Sequence, residues 1–155
     1  MAPSLGVETA DSDDVKKIIM AHREFTLSVT PPEFVFSLGV EGLLEPDVQV
    51  VVLRDNGEAL SIGALRPIET GHFEIKSMHT LARVRKMGYS RQVLQYLINL
   101  ARESGAQRVS LETGSGAPFE AARALYESVG FVPCGPFGSY PDHDGNFFMT
   151  LLLEQ

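Results

Sequence analysis

The spacing of apolar positions divides the chain into two regimes, one before and one after Thr80. In Asp11-Ser12-Asp13-Asp14 a capping side chain and acidic residues sit where the positive end of a helix dipole would lie, so a helix is predicted to start there. Val15, Ile18, Ile19 and His22 then keep helical spacing. Pro31-Pro32 stops that helix, and a second, shorter one is predicted through Glu33-Phe34-Val35-Phe36. Val48 to Leu53 is a nearly continuous apolar, β-branched run, as expected of a strand covered on both faces. Asp55-Asn56-Gly57 is a hairpin turn, Ala59 to Arg66 the return strand, and Thr70-Gly71 turns the chain into a third strand, His72 to Thr80.

After Thr80 the period changes. Val93, Leu94, Leu97, Leu100 and Ala101 form one stripe of an amphipathic helix over 89–104, which Gly105 ends. Arg108 to Glu112 is a short strand, Thr113 to Gly116 a loop, and Pro118 to Val129 a helix closed by Gly130. Phe131 to Cys134 and Asn146 to Leu153 supply the last strands. Strand 72–80, helix 89–104 and strand 107–112 make a right-handed crossover, so those two strands are expected to be parallel. The fold class is α/β (α+β), a mixed sheet of roughly six to seven strands flanked by about four helices, with one domain over the whole chain.

Composition narrows this only a little. With 155 residues, 44% hydrophobic and 21% charged, the chain has the make-up of a globular domain. The N-terminus lacks a secretion-signal layout and no apolar run approaches the ~20 residues of a membrane span, so a cytoplasmic address and no membrane partner are expected. A formal charge of −7 argues against nucleic acid and mildly favours cationic small-molecule substrates. Cys134 is the single cysteine, which excludes an intramolecular disulfide and a Cys-rich metal site; it reads as a packed or edge thiol.

Chemistry concentrates at Arg85-Lys86-Met87-Gly88-Tyr89-Ser90, directly after a strand and opening a helix. Backbone N–H groups at such a junction lack helical partners, the dipole adds partial positive charge, and a pyrophosphate is the natural ligand. Gly88 allows close approach or a positive φ, and Arg85, Lys86 and Arg91 add charge.

The order Arg85-x-x-Gly88-x-Ser90 resembles the acetyl-CoA signature of the GNAT superfamily of N-acetyltransferases, Arg/Gln-x-x-Gly-x-Gly/Ala. Ala122-Arg123-Ala124-Leu125-Tyr126-Glu127-Ser128-Val129-Gly130-Phe131 resembles the family's second block, Ala-x-x-Leu-Tyr-x-x-x-Gly-Phe. The likeness covers residues 72 to 134, while the first 45 residues match only in helical character. Two positions depart from the pattern. Ser90 replaces the usual Gly or Ala, and Phe119 stands where many members carry an Asn that contacts the cofactor arm.

The resemblance implies acetyl-CoA as co-substrate, no metal, and direct transfer to an amine in a ternary complex. It places the cofactor on Met78, His79, Thr80, Arg85, Lys86, Met87, Gly88, Tyr89, Ser90 and Arg91. Strand 72–80 of such proteins carries a bulge and splays from its parallel neighbour, so that exposed main-chain groups of Met78 and Thr80 would pair with the pantetheine arm. One of those amides would polarise the thioester carbonyl. Tyr126 would protonate the departing thiolate. Glu74, eleven residues before Arg85, is the candidate base; by strict alternation it shares a strand face with Met78 and Thr80, a parity that a bulge would break. His79, His72 and a water chain to Glu112 are its rivals. Phe137 to Asp144 reads as a loop over the acceptor site, with Tyr140 and His143 as substrate contacts, and Asp142-His143-Asp144-Gly145 as a polar turn rather than a metal site. The acceptor is read as a small-molecule amine, with a peptide N-terminus or lysine as the alternative and a non-catalytic acyl-CoA-binding module as the competing class. An edge strand near the C-terminus offers a surface on which two copies could pair as a homodimer.

Overall fold

The computed structural model describes residues 3–36 and 38–153. Strand β1 (Ser4–Glu8) precedes helix α1 (Asp13–Val29) and a single turn of helix, α2 (Val40–Leu43). Strands β2 (Gln49–Asp55), β3 (Glu58–Glu69) and β4 (His72–Thr80) follow as an antiparallel meander. Helix α3 (Tyr89–Glu103), strand β5 (Arg108–Gly114), helix α4 (Glu120–Ser128) and strands β6 (Val132–Cys134) and β7 (Asn146–Leu152) complete the described chain. One sheet runs in the order β1-β2-β3-β4-β5-β7-β6, and β4–β5 is its parallel pair.

Alternation along the strands feeds two cores. Val51 and Leu53 of β2, Leu65 of β3 and Ile75 of β4 pack under Val93, Leu94 and Leu97 of α3. Val50, Val52, Ile62 and Ala64 face the opposite side, against Val15, Ile18 and Ile19 of α1. This is why the β2 stretch is apolar at every position rather than at every second one. Each of those α3 aliphatics, fully buried, contributes roughly 1.5–3 kcal/mol of transfer free energy. Asn56 and Gly57 both take positive φ, 52° and 82°, in the tight turn between β2 and β3.

Three expectations are corrected. β1 was not anticipated: its five residues are too few to establish a period, and the strand forms because β2 offers a free edge. Arg54 ties it down, pairing with Glu8 at 2.8 Å and with Asp14 of α1 at 2.7 Å. The helix expected through residues 33–36 is only a 3₁₀ turn, Pro32–Phe34, because Val35 is already extended, and the next helical turn begins at Val40. The helix expected from Pro118 starts with a separate 3₁₀ turn, Ala117–Phe119, before α4.

Candidate active site

The site begins with an irregularity in β4. Ala64 of β3 pairs with Lys76 and Ile62 pairs with His79, so Ser77 and Met78 together oppose the single residue Gly63. Ser77 takes φ 58°, an uncommon conformation for a residue with a side chain. Gly63 is what the bulge packs on: a Cβ there would lie 2.6 Å from the Met78 sulfur and 2.6 Å from a Leu97 methyl. The extra residue inverts the facing pattern of the strand. Glu74, Lys76 and His79 lie on the α1 side of the sheet, whereas Ile75, Met78 and Thr80 lie on the α3 side. Strict alternation, which put Glu74 on one face with Met78 and Thr80, is therefore overturned.

The sheet opens just ahead of the bulge. β4 and β5 pair only from His72–Arg108 to Ile75–Leu111, and past that point the strands diverge. A cavity of about 580 Å³ fills the gap, lined by residues from α1, β4, β5, α4 and the turn before α3. At one end of it Lys86 and Gly88 take φ 68° and 80°. The bond from the Gln92 N–H to the Gly88 carbonyl, 3.1 Å, is the first of helix α3, so the preceding N–H groups point out of the helix start without an intrahelical partner. A Cβ on Gly88 would meet nothing within 4 Å, so the space in front of the turn is open. Exposed Arg85, Lys86 and Arg91 surround it, and Ser90 is anchored from behind, its hydroxyl 2.6 Å from that of Thr80. Successive free N–H groups at a helix start, ringed by three cations, suit a pyrophosphate, so these residues fit a coenzyme A moiety.

The cavity wall also holds titratable groups whose ionisation burial has shifted. Tyr126 lines it from α4, stacked at a tilt on Phe131; burial and the charge of Glu112 push its phenol well above the ordinary range. Glu112 lines it from β5 and accepts a 2.9 Å bond from the Asn146 amide; burial raises its carboxyl to about 7. His22 and His79 meet across the α1–β4 contact with their Nδ1 atoms 3.4 Å apart, and burial lowers them to about 3 and about 4, so both are neutral near pH 7. Phe25 of α1 packs edge-on against Phe119, whose ring lies over Gly114 at the end of β5.

Of the residues singled out from the sequence, Met78, His79, Thr80, Arg85, Lys86, Gly88, Tyr89, Ser90, Arg91 and Tyr126 converge on this one cavity. Four of the expected site residues do not line it, and neither does the rival base His72, whose Nε2 lies 2.7 Å from the Ser110 hydroxyl. Met87 is exposed and turned outward. Glu74 is 1% exposed and held by Arg66 at 2.9 Å, by Lys76 at 3.4 Å and by the Tyr140 hydroxyl, so its carboxylate is already engaged. Tyr140 sits behind Lys76 in that network rather than on the wall. The His143 ring accepts the Gly145 N–H at 2.9 Å and so shapes its own loop. Cys134, on β6, also lies off the cavity. Lys76, His22, Phe25, Phe36 and Ser77 line the wall without having been anticipated. His22 and Phe25 could have been followed by continuing the α1 stripe, but nothing in the pattern locates the bulge that decides the rest.

Comparison with known proteins agrees with this arrangement. The family model of the Acetyltransferase (GNAT) family matches residues 15–131. The uncharacterized N-acetyltransferase YsnE of Bacillus subtilis (strain 168) is 41% identical over 139 residues, covering 90% of this chain and 92% of its own. Among solved structures, a Klebsiella pneumoniae protein assigned as an acyl-CoA N-acyltransferase superposes with a TM-score of 0.81 at 22% identity, covering 98% of each chain. A Bacillus subtilis acetyltransferase in complex with CoA gives a TM-score of 0.73 at 15% identity, covering 98% of this chain and 99% of that one. These two show the same fold. A split sheet, an anion-ready helix start and a matching family model lead to one statement: the chain belongs to the Acetyltransferase (GNAT) family and is an acetyl-CoA-dependent N-acyltransferase.

Proposed function

We propose that the enzyme moves an acetyl group onto the primary amine of a small molecule, by direct attack of the amine while both substrates are bound. The observation that carries this reading is the continuity of the cavity, from the Arg85–Ser90 turn through the β4–β5 gap to Tyr126 and Glu112. Two ligands can then meet in the middle of the sheet. Acetyl-CoA, when bound, supplies an activated thioester; its pyrophosphate is assigned to the N–H groups and cations from Arg85 to Arg91, and its arm to the unpaired edge of Met78 to Thr80.

Tyr126 is assigned as proton donor to the departing sulfur. Its raised pKa keeps it protonated, and the same desolvation makes a buried thiolate more basic, which helps the transfer. The role of base passes from Glu74 to Glu112. Glu74 has its oxygens occupied away from the cavity, whereas Glu112 lines it, and the pKa of about 7 suits a base at neutral pH. The protons balance. The acceptor ammonium gives one to Glu112, and the second leaves nitrogen as the amide forms and replaces the one Tyr126 hands to sulfur. The products are amide, thiol and one released proton.

Thiol release from acetyl-CoA in the presence of a panel of small primary amines tests the reading. Initial rates should saturate in both substrates with intersecting double-reciprocal lines. Parallel lines, or a burst of thiol before amine is added, would instead indicate an acetylated enzyme and defeat direct attack.

A further inference from the structure

Lys76 and Glu112 are the first residues beyond the last β4–β5 pair, Ile75–Leu111, and both project to the α1 side of the sheet. They therefore flank the opening of the gap, one on each strand, and both line the cavity. Although opposite in sign, they form no ion pair with each other among the described residues. Each also keeps bonding capacity in reserve. An ammonium has three donors, and Lys76 directs one to Glu74 at 3.4 Å and one to the Tyr140 hydroxyl at 2.5 Å. Among the described residues, the Glu112 carboxylate accepts one bond, from the Asn146 amide.

The rest of this end is apolar or neutral. Phe25, Val35 and Phe36 line it, with Phe36 set edge-on to Tyr140 directly beside Lys76. His22 and His79 carry no charge near neutral pH and so compete for neither sign. The remaining cations of the wall, Arg85, Lys86 and Arg91, belong to the turn before α3 and to its first residues.

We propose that the acceptor is an α-amino acid with an apolar or aromatic side chain, its ammonium facing Glu112, its carboxylate held by Lys76 and its side chain against Phe25, Val35 and Phe36. This rests on the acetyl-transfer reading and specifies its acceptor. Lys76 is then a specificity determinant: a carboxylate there gains a charge-assisted hydrogen bond, and an amine without one leaves a buried ammonium donor unmet.

Thiol release with L-phenylalanine, L-leucine, L-phenylalaninamide, phenethylamine and a short peptide with an N-terminal phenylalanine tests this. The free amino acids should exceed the amide, the decarboxylated amine and the peptide in kcat/KM by roughly tenfold or more. In Lys76→Met that preference should collapse toward unity through KM, while Lys76→Arg should restore much of it; an acetyl-CoA thermal shift shows whether each variant is folded. Preference for phenethylamine or the peptide in the wild-type enzyme overturns the amino-acid assignment and leaves acetyl transfer standing. An undiminished preference in folded Lys76→Met overturns the role of Lys76. Absence of thiol release with all five, despite acetyl-CoA binding, overturns the amino-acid assignment, and release with other small amines would then still support the transfer reading.

Discussion

Glu112 and Tyr126 carry the chemistry assigned here, and burial tunes both toward the protonated form. For Glu112 the sign has two consequences. As a base it acts when ionised, so kcat/KM should rise with pH through about 7. Glu112→Gln should remove that limb and lower the rate by roughly 10²-fold or more at neutral pH, with partial recovery at high pH as free amine accumulates. For stability, a carboxyl whose folded pKa is raised contributes fully below its ordinary value, and the contribution is lost as pH rises through about 7. Glu112→Gln should therefore gain melting temperature relative to the wild type at pH 8 and gain little at pH 4, which paired thermal scans would show. Tyr126→Phe should lower kcat by roughly 10²–10⁴-fold while leaving acetyl-CoA affinity nearly intact. Near-normal turnover with chemistry rate-limiting would return Tyr126 to a packing role against Phe131.

At the scale of elements, the bulge in β4 and the start of α3 depend on one another. Ser77 is held in its left-handed conformation by Met78, which packs on Gly63, and Gly63 in turn leaves room for Val93 and Leu97 of α3. Gly63→Ala places a methyl 2.6 Å from both the Met78 sulfur and Leu97. Overpacking of this kind costs about 1–3 kcal/mol. The strain falls on the junction that opens the sheet, so acetyl-CoA affinity should weaken along with the unfolding midpoint. A variant that lost stability but bound acetyl-CoA normally would separate the bulge from the cofactor site.

For the whole molecule, the cavity draws on helices and strands from both sides of the sheet, so filling it should stabilise the fold through linkage. At acetyl-CoA a hundredfold above Kd the gain is about 2.7 kcal/mol. For a chain of this size that corresponds to roughly 5–10 °C in Tm. Gly88→Asp should abolish the shift, because it sets a carboxylate against the pyrophosphate and forces a side chain into φ 80°. An unchanged shift in that variant would move the cofactor away from the Arg85–Ser90 turn. Among the described residues, no helix is long and apolar enough to cross a membrane.

Local patterns were sufficient for much of this protein. The change of period after Thr80, the turn at Asn56-Gly57, the glycines at helix ends and the Arg85–Ser90 junction are all short-range, because capping, handedness and helix-start electrostatics act within a few residues. From them came the meander, the parallel β4–β5 crossover and the turn assigned to the cofactor. What the sequence left open depends on neighbours far along the chain. β1 exists because an edge of β2 was free, and Ser77 bulges because Met78 must share space with Gly63 and Leu97. One extra residue in a strand reverses every facing after it, so no count of alternation could tell that Met78 and Thr80 would face away from Glu74, or that Arg66 and Tyr140 would come in to enclose that carboxylate. Likewise it took the β4–β5 register, a pairing of residues far apart in the chain, to set Lys76 and Glu112 on one side of the sheet, at the point where β4 and β5 part.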